Sequence, residues 1–174
     1  MSQASPEAIR NIAVIGQSGV GKTPLCENIL FMTGATTRIG KTVDGSSHFD
    51  FEPEEIKRDA TLKTSIFDFS FQGNNFSLID TPGSSTFLVD TAYAVRAADA
   101  AILLVGAVSG VKVQGKKAWK ASVKEKLARA ILVNEIDHEF ARFENALEAI
   151  KTGLGVTPAL LHLPIGAEKG FAGV

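Results

Sequence analysis

The feature that most constrains this chain is a short glycine-rich loop near its N-terminus. Residues 16–23 read Gly-Gln-Ser-Gly-Val-Gly-Lys-Thr, which satisfies every fixed position of the pattern G-x-x-x-x-G-K-[ST]. Glycines at these positions let the backbone curl so that several N–H groups point at one anion, while the lysine reaches terminal phosphates and the threonine hydroxyl ligates magnesium. The sequence therefore predicts a nucleotide ligand, bound through Gly16, Gln17, Ser18, Gly19, Val20, Gly21, Lys22 and Thr23.

The segments on either side of the loop agree with this interpretation. Asn11–Ile15 is a short apolar strand candidate, and Leu25–Met32 has the character of a helix. A strand, a loop and a helix in this order form the context that the motif requires. An ordinary Gly/Ser turn with an unrelated lysine is the alternative, and the four fixed positions with their flanks count against it.

Composition limits the class of protein. The chain has 174 residues, a formal net charge of −1 and 45% hydrophobic residues, which predicts about one globular domain without an overall attraction to polyanions or membranes. Cys26 is the single cysteine, so no internal disulfide can form and we expect a reducing, cytoplasmic compartment. Residues 1–10 form an N-terminal tail without the apolar core of a signal peptide. We expect a monomer with no membrane partner and no sequence-specific nucleic-acid partner.

Strand and helix signals alternate along the chain, which predicts an α/β fold with a mostly parallel sheet and helices on both faces. Thr64–Phe71 has phenylalanines at alternate positions, and Gly73-Asn74 then turns the chain into Phe76–Asp80, so one antiparallel edge strand is expected. The other predicted elements are helices at 87–98, 113–129 and 139–152, strands at 100–105 and 130–133, and an apolar segment at 159–165.

A long polar segment separates the first helix from the hairpin. Between Thr33 and Thr61 the composition shifts toward Gly, Ser, Thr and Asp. Long loops inside compact domains are uncommon and usually functional, so residues 33–63, called the switch loop below, are a candidate for a segment that responds to the bound nucleotide. An ordinary disordered insertion is the alternative that composition leaves open.

Two further motifs follow predicted strands. Asp80-Thr81-Pro82-Gly83 ends the second hairpin strand, where a carboxylate would face the ligand crevice and help to organise magnesium. Asn134-Glu135-Ile136-Asp137 follows a later strand and is similar to the guanine-reading pattern Asn-Lys-x-Asp, in which Asp137 would accept hydrogen bonds from guanine and Asn134 would contact its opposite edge. Taken alone, the first motif is a common turn and the second could be a helix cap. Their positions after strands favour a guanine nucleotide.

From about Ile12 to Val174 the chain strongly resembles the GTP-binding domain of bacterial elongation factor G, through matches at residues 31–35, 50–55, 78–83, 107–111 and 163–166. The resemblance implies the P-loop NTPase three-layer sandwich, GTP or GDP and Mg²⁺ as ligands, and a translational GTPase that couples hydrolysis to ribosomal translocation in the full-length protein. It also implies that Thr61 joins Thr23 and Asp80 around magnesium when GTP orders the switch loop.

Several departures from the family pattern fall inside the predicted site. Gly83 and Ser84 are the catalytic candidates, but Ser84 replaces the histidine that orients the attacking water, so hydrolysis should lose about 10²–10⁴ in rate. Glu135 replaces the lysine of the guanine motif and adds a negative charge near a polyanionic ligand. Pro24 lacks the N–H that would donate to the α-phosphate, a bond worth roughly 1.5–3 kcal/mol. Asp59 puts an anion where the family has glycine.

The resemblance also sets domain boundaries. Residues 11–158 correspond to the GTP-binding core, and residues 159–174 to the start of a subdomain inserted in the family. The sequence therefore predicts a C-terminally incomplete fold in which Ala159–Ile165 covers the vacant sheet edge. The alternative function is that of a degenerate relative, which binds nucleotide weakly and acts as a ribosome-binding or regulatory module.

Overall fold

The computed structural model of this chain describes residues 5–58 and 60–174, apart from the side chains of Phe87 and Leu88. Asp59 therefore lies outside the described residues, as do residues 1–4 of the predicted N-terminal tail. The elements are β1 (Ile9–Gly16), α1 (Lys22–Met32), α2 (Pro53–Arg58), β2 (Ser65–Phe71), β3 (Asn74–Asp80), α3 (Leu88–Ala97), β4 (Ala100–Gly106), α4 (Val113–Lys124), β5 (Ala128–Asn134) and α5 (Phe143–Leu154). None of these described helices is both long and apolar enough to cross a membrane.

The strands form one sheet in the order β2-β3-β1-β4-β5. β1 runs parallel to β3 and to β4, and β4 runs parallel to β5. β2 is antiparallel to β3, with Phe69 opposite Phe76, so the predicted hairpin and the mostly parallel sheet are confirmed. Because the parallel strands end at the same edge of the sheet, the loops that follow β1, β3, β4 and β5 converge there.

Apolar residues cover both faces of the sheet. Successive side chains of a strand point to opposite faces, and β1 follows this rule. Ala13 and Ile15 belong to the cluster that includes α3, α4 and α5, whereas Val14 belongs to the cluster that includes α1. Burial of such side chains contributes about 1.5–3 kcal/mol each. The result is the expected three-layer α/β sandwich.

The predicted bounds of two helices were wrong. The helix expected at 113–129 ends at Lys124, because the chain turns at Lys126, whose φ is 57°, and continues as β5 from Ala128. The helix expected at 139–152 begins only at Phe143 and continues to Leu154, where Gly155 closes it with φ of 68°.

The switch loop is more ordered than its composition indicated. It contains the short helix α2, and the ring of Phe49 is fully buried in the cluster formed with Cys26 and Leu30 of α1. Pro53 suits the first position of α2, since its missing N–H has no helical partner there. The loop is therefore packed onto the body of the domain.

Residues 159–165 do not cover the edge of the sheet, so that prediction was wrong. β5 is the last strand of the order, and among the described residues no strand pairs with its outer edge. Ile165 instead forms an isolated bridge with Gly173, and the side chain of Leu161 is 83% exposed. Pro158 directly precedes this segment and Pro164 lies within it, and both lack the N–H group that a sheet ladder needs.

Candidate functional site

The phosphate-binding loop lies between β1 and α1, as its motif predicts. Gly19 and Gly21 have φ of 77° and 83°, in the left-handed region that glycine adopts most easily. Gly21 precedes the first residue of α1, so the free N–H groups of this helix start point toward the loop. The arrangement provides several backbone donors for one anion.

Lys22 is buried at the start of α1. Its Nζ donates a hydrogen bond to the backbone oxygen of Gln17 at 3.1 Å, and only 6% of the residue is exposed. Burial lowers the pKa of this ammonium, while the nearby carboxylate of Asp80 acts in the opposite direction. Within the part of the chain that the structure describes, no carboxylate forms an ion pair with Lys22. A bound phosphate would supply the missing negative charge.

Two threonines and two aspartates meet at one end of the site. The hydroxyl of Thr23 donates to Asp80 Oδ2 at 2.6 Å, and that of Thr61 donates to Asp50 Oδ2 at 3.0 Å. The two hydroxyl oxygens lie 3.0 Å apart. Either hydroxyl can donate to the other at this distance. The two hydroxyls and two carboxylates therefore form one compact cluster of oxygen atoms.

Asp80 is the fully buried member of this oxygen cluster. Burial raises the pKa of its carboxyl to about 7, against the hydrogen bond from Thr23 and the charge of Lys22, which lower it. No described residue donates to its Oδ1. The donor set consists of hydroxyl and carboxylate oxygens, the ligands that Mg²⁺ prefers, so these residues fit a magnesium ion. Among the described residues no group of three or more His, Cys, Asp or Glu could hold a metal, so this fit depends on the hydroxyls as well.

Gly83 and Ser84 follow β3 and reach the other side of the loop. A Cβ at Gly83 would lie 2.4 Å from the backbone nitrogen of Ser18 and 2.6 Å from Lys22 Nζ. The Oγ of Ser84 accepts a weak bond from the N–H of Thr86 at 3.4 Å. Gly83 is thus pressed against the phosphate-binding loop, while the Ser84 hydroxyl caps a local turn beside it.

Gln17 has a role that its motif position did not predict. Its Nε2 donates to the backbone oxygen of Gly110 at 2.9 Å and to Ser109 Oγ at 3.2 Å, and its Oε1 accepts the N–H of Lys112 at 2.9 Å. Since only 3% of Gln17 is exposed, these bonds are shielded from water. The side chain fastens the phosphate-binding loop to the loop between β4 and α4.

The predicted guanine motif is only partly joined to the loop. Asn134 Nδ2 donates to the backbone oxygen of Val20 at 2.9 Å, which connects the end of β5 to the phosphate-binding loop. Asp137 is exposed. The Glu135 carboxylate lies over β4, where a Cβ at Gly106 would be 2.4 Å from its Oε2. The structure therefore brings Asn134 to the loop and leaves Asp137 at the surface.

A cavity of about 700 Å³ opens above the loop. The predicted site residues that line it are Gln17, Ser18, Gly19, Gly21, Lys22, Thr23, Thr61, Gly83 and Ser84. Gly16, Val20, Asp80, Asn134 and Asp137 are not part of this wall. Sequence reasoning missed the lining residues Asp50, Arg58, Lys112 and Gln114. For Asp50 the available signal was its place in the matched acidic run 50–55 of the switch loop.

Comparison with known proteins agrees with this geometry. The family model described as the elongation factor Tu GTP binding domain matches residues 7–169. The chain is 35% identical over 168 residues to elongation factor G 2 of Geobacter metallireducens, and 34% identical over 165 residues to elongation factor G of Wolbachia pipientis subsp. Culex pipiens. These alignments cover 97% and 95% of the chain and 24% of each relative, so the chain spans about a quarter of their length.

A solved structure extends the comparison to three dimensions. A crystal structure of a protein from Thermus thermophilus superposes with a TM-score of 0.86 at 32% sequence identity. The superposition covers 94% of this chain and 24% of that one. Fold and sequence thus agree over nearly the whole described domain.

Proposed function

The chain belongs to the family of elongation factor Tu GTP-binding domains, and from this we propose that it is the guanine-nucleotide-binding domain of an elongation factor G-like translational GTPase. It binds GTP and GDP together with Mg²⁺. In a protein of the relatives' full length, acting in the cytoplasm with the ribosome as partner, hydrolysis is coupled to translocation. The observation that carries this proposal is that Thr23 and Thr61 meet beside Lys22 at one end of the cavity, with the Thr23 hydroxyl bonded to the buried carboxylate of Asp80.

Each residue at the phosphate end has a distinct part in binding. The N–H groups of the loop and of the first turn of α1 donate to phosphate oxygens, and Lys22 supplies a positive charge in a site where water screens it little. Thr23 and Thr61 would hold the metal, with Asp80 and Asp50 orienting their hydroxyl groups. When bound there, Mg²⁺ would supply positive charge against the charge that develops during phosphoryl transfer.

Base recognition is assigned to the end of β5. Asn134 is held against the phosphate-binding loop by its bond to Val20, so its side chain is close to the expected nucleotide. The exposed Asp137 accepts hydrogen bonds from the guanine N1 and N2 groups, whereas adenine offers no such pair of donors. Selectivity for guanine over adenine therefore depends on Asp137.

Catalysis by this domain is slow. Ser84 lines the cavity where the family has its histidine, and a serine hydroxyl is a poor general acid or base at neutral pH. Gly83 lies in contact with the loop and can donate its N–H to the terminal phosphate. The domain positions GTP but leaves the attacking water without a strong orienting group.

A second candidate function is supported by Ser84 and Pro24, which both line the cavity. In this alternative the domain is a degenerate paralogue with weak nucleotide binding and little hydrolysis, and it acts as a ribosome-binding or regulatory module. Pro24 has no N–H for an α-phosphate, so one charge-assisted hydrogen bond, worth roughly 1.5–3 kcal/mol, is absent.

A titration with fluorescent GDP, GTP and ATP analogues in the presence of Mg²⁺ tests these proposals. We expect GDP and GTP to bind, ATP to bind at least about a hundredfold more weakly, and Lys22→Ala to remove binding. Lys120→Ala, on the exposed face of α4, is the matched control and should bind as the unmodified protein does. No binding of any nucleotide would favour the degenerate module, and a preference for ATP would reject the guanine assignment.

The catalytic part is tested by Ser84→His in a protein of the relatives' full length. Restoring the histidine should raise ribosome-stimulated release of phosphate, by up to about 10²–10⁴. The corresponding control is Val89→His, at an exposed position of α3 that does not line the cavity. If phosphate release does not rise, the serine is not what limits hydrolysis.

A further inference from the structure

Two glutamates are buried outside the wall of the nucleotide cavity. Glu27 of α1 is fully buried, and Glu55 of α2 is only 2% exposed. Buried carboxylates are uncommon unless their oxygens receive hydrogen bonds. Here every hydrogen bond that these two side chains receive comes, among the described residues, from the switch loop. Their location therefore points to the folding of that loop.

The carboxylate of Glu27 accepts hydrogen bonds from several residues in the first half of the switch loop. Its Oε1 accepts the hydroxyl of Ser47 at 2.7 Å and the N–H of His48, and its Oε2 accepts the N–H of Gly40 at 3.0 Å and lies 2.8 Å from His48 Nδ1. Gly40 approaches so closely that a Cβ there would lie 2.6 Å from Glu27 Oε2 and 2.7 Å from the backbone oxygen of Ser46. The loop is shaped around this carboxylate.

Ser47 extends the effect of Glu27 to the cavity. Its Oγ donates to Glu27 and accepts the N–H groups of Phe49 and Asp50, each at 3.1 Å. The buried ring of Phe49 and the bond from Ser65 Oγ to its backbone oxygen, at 2.8 Å, fix the same stretch to the sheet. The carboxylate of Asp50 lies beside Thr61 and Thr23 at the end of the cavity where Mg²⁺ is proposed to bind, called the magnesium end below. Asp50 is thus two hydrogen bonds away from Glu27.

Glu55 holds the second half in the same way. Its Oε1 accepts the N–H groups of Leu62 and Lys63 at 2.9 Å and 3.2 Å, and its Oε2 accepts the N–H of Glu52 at 3.3 Å. The bond to Glu52 caps the start of α2. The bonds to Leu62 and Lys63 fix the backbone directly after Thr61, whose hydroxyl faces Thr23.

We propose that Glu27 and Glu55 are positioning residues that hold Asp50 and Thr61 at the magnesium end of the cavity. The proposal rests on the function proposed above and adds the two residues that determine the conformation of the switch loop. Thr23 and Glu27 are four residues apart on α1, so they project from one side of the helix. The same helix therefore carries the hydroxyl of Thr23 and the carboxylate that positions the switch loop, which contains Asp50 and Thr61.

Hydrogen exchange of the protein without nucleotide tests the positioning directly. Glu27→Gln and Glu55→Gln keep the size of the side chain but replace one acceptor oxygen with a donor. We expect at least about tenfold faster exchange at Gly40 and His48 in the first variant and at Leu62 and Lys63 in the second. Glu54→Gln is the matched control, because Glu54 is an exposed neighbour that pairs only with Arg58 among the described residues. Unchanged exchange in both test variants would overturn the proposal.

Ser47→Ala provides a second variant. It removes the hydroxyl that connects Glu27 to the N–H groups of Phe49 and Asp50, without placing a donor in the buried site. It should speed exchange at Phe49 and Asp50 and leave Leu62 and Lys63 as in the unmodified protein. Thermal unfolding and far-ultraviolet circular dichroism establish that each variant is folded before exchange is compared. If the folded Ser47→Ala protein has the same exchange rate at Asp50 as the unmodified protein, the connection from Glu27 through Ser47 to Asp50 is refuted.

The link to the metal is tested by the Mg²⁺ dependence of affinity for a non-hydrolysable fluorescent GTP analogue. Glu27→Gln should reduce the enhancement by Mg²⁺ at least about tenfold and leave affinity in EDTA unchanged, because only the metal contacts depend on the loop. Thr61→Ala should have the same effect, and the double variant should be no weaker than Thr61→Ala alone. Equal losses with Mg²⁺ and in EDTA, or additive losses in the double variant, would contradict positioning.

Failure of the two proposals can be told apart. An unmodified protein that binds no nucleotide would overturn the proposed function, while the exchange experiment would still decide whether the two glutamates hold the loop. Normal nucleotide binding together with unchanged exchange would overturn only the positioning by Glu27 and Glu55.

Discussion

Gly83 is a residue at which the structure leaves no room for a side chain. We predict that Gly83→Ala weakens nucleotide binding and lowers the free energy of unfolding by about 1–3 kcal/mol, the usual cost of overpacking. The reason is that the added Cβ would meet the backbone of Gln17 and Ser18, which cannot move away as a flexible side chain could. Nucleotide titration and urea unfolding measure the two effects.

Gly170→Ala is the control for that prediction. A Cβ at Gly170 would meet no atom within 4 Å, and its φ lies outside the left-handed region. It should leave both binding and stability within about 0.5 kcal/mol of the unmodified protein. Equal losses in the two variants would mean that contact with the phosphate-binding loop is not what constrains Gly83.

A second prediction at the scale of residues concerns the contribution of Gln17 to stability. Gln17→Ala should lower the free energy of unfolding by about 1–3 kcal/mol, because the N–H of Lys112 and the backbone oxygen of Gly110 lose a buried partner. Chemical denaturation checks the size of the loss. Asn28→Ala, which removes one exposed bond to Pro24, should cost less than half as much, and a larger loss there would contradict the argument from burial.

The residues that sequence could identify are those with a fixed chemical part in phosphate binding. Lys22, Thr23 and Asp80 stand in motifs whose spacing follows from backbone geometry, so they could be named without a structure. Glu27 could not, because a glutamate inside a helix pattern normally faces solvent, and the matched run 50–55 marked Asp50 without indicating what it contacts. Only contacts between distant parts of the chain assign them a place.

At the scale of elements, α1 and the switch loop form one unit whose stability depends on pH. Burial would raise the pKa of Glu27, but hydrogen bonds from His48 and Ser47 outweigh it and hold the pKa below the ordinary value of 4.5. A carboxyl with a lowered pKa in the folded state stabilises the fold fully above its unfolded value, and this contribution is lost as pH falls through the folded value.

We therefore predict that Glu27→Gln destabilises the domain at pH 7 and that the difference from the unmodified protein narrows as pH falls below the ordinary value of 4.5. Urea unfolding at several pH values between 7 and 3.5 measures both proteins. A difference that stays constant down to pH 3.5 would show that ionisation of Glu27 does not contribute.

Element types were more predictable than element ends. The alternation of β2 and the turn signal at Gly73-Asn74 predicted a hairpin, and the structure has it, with the turn one residue earlier at Gln72 and Gly73. The end of α4 was not evident, since residues 125–129 continue a helix-compatible sequence. The chain leaves the helix there because pairing with β4 along Ala128–Asn134 satisfies its backbone instead, and that competition is decided by tertiary contacts.

At the scale of the whole molecule, the central strands should be the most stable part. We predict that amide exchange is slowest in β1 and β4, which have a strand on both sides and end in runs of buried residues. It should be fastest in residues 157–174, none of which is buried. Exchange measured by mass spectrometry on peptide fragments tests the ranking. Protection of 159–165 equal to that of β5 would restore the hypothesis that this segment covers the sheet edge.

The sequence by itself determined the class of fold, the phosphate-binding loop, the two flanking motifs and the resemblance to elongation factor G. These depend on local geometry and on periodicity, which the order of residues carries directly. Tertiary structure alone decided that Glu27 and Glu55 are buried, that Asp50 binds the hydroxyl of Thr61 at the end of the cavity proposed for magnesium, and that residues 159–165 leave the edge of β5 open. Such outcomes depend on which distant groups satisfy each hydrogen-bonding atom. The phosphate-binding loop could therefore be read from the chain, whereas the shape of the switch loop above it could not.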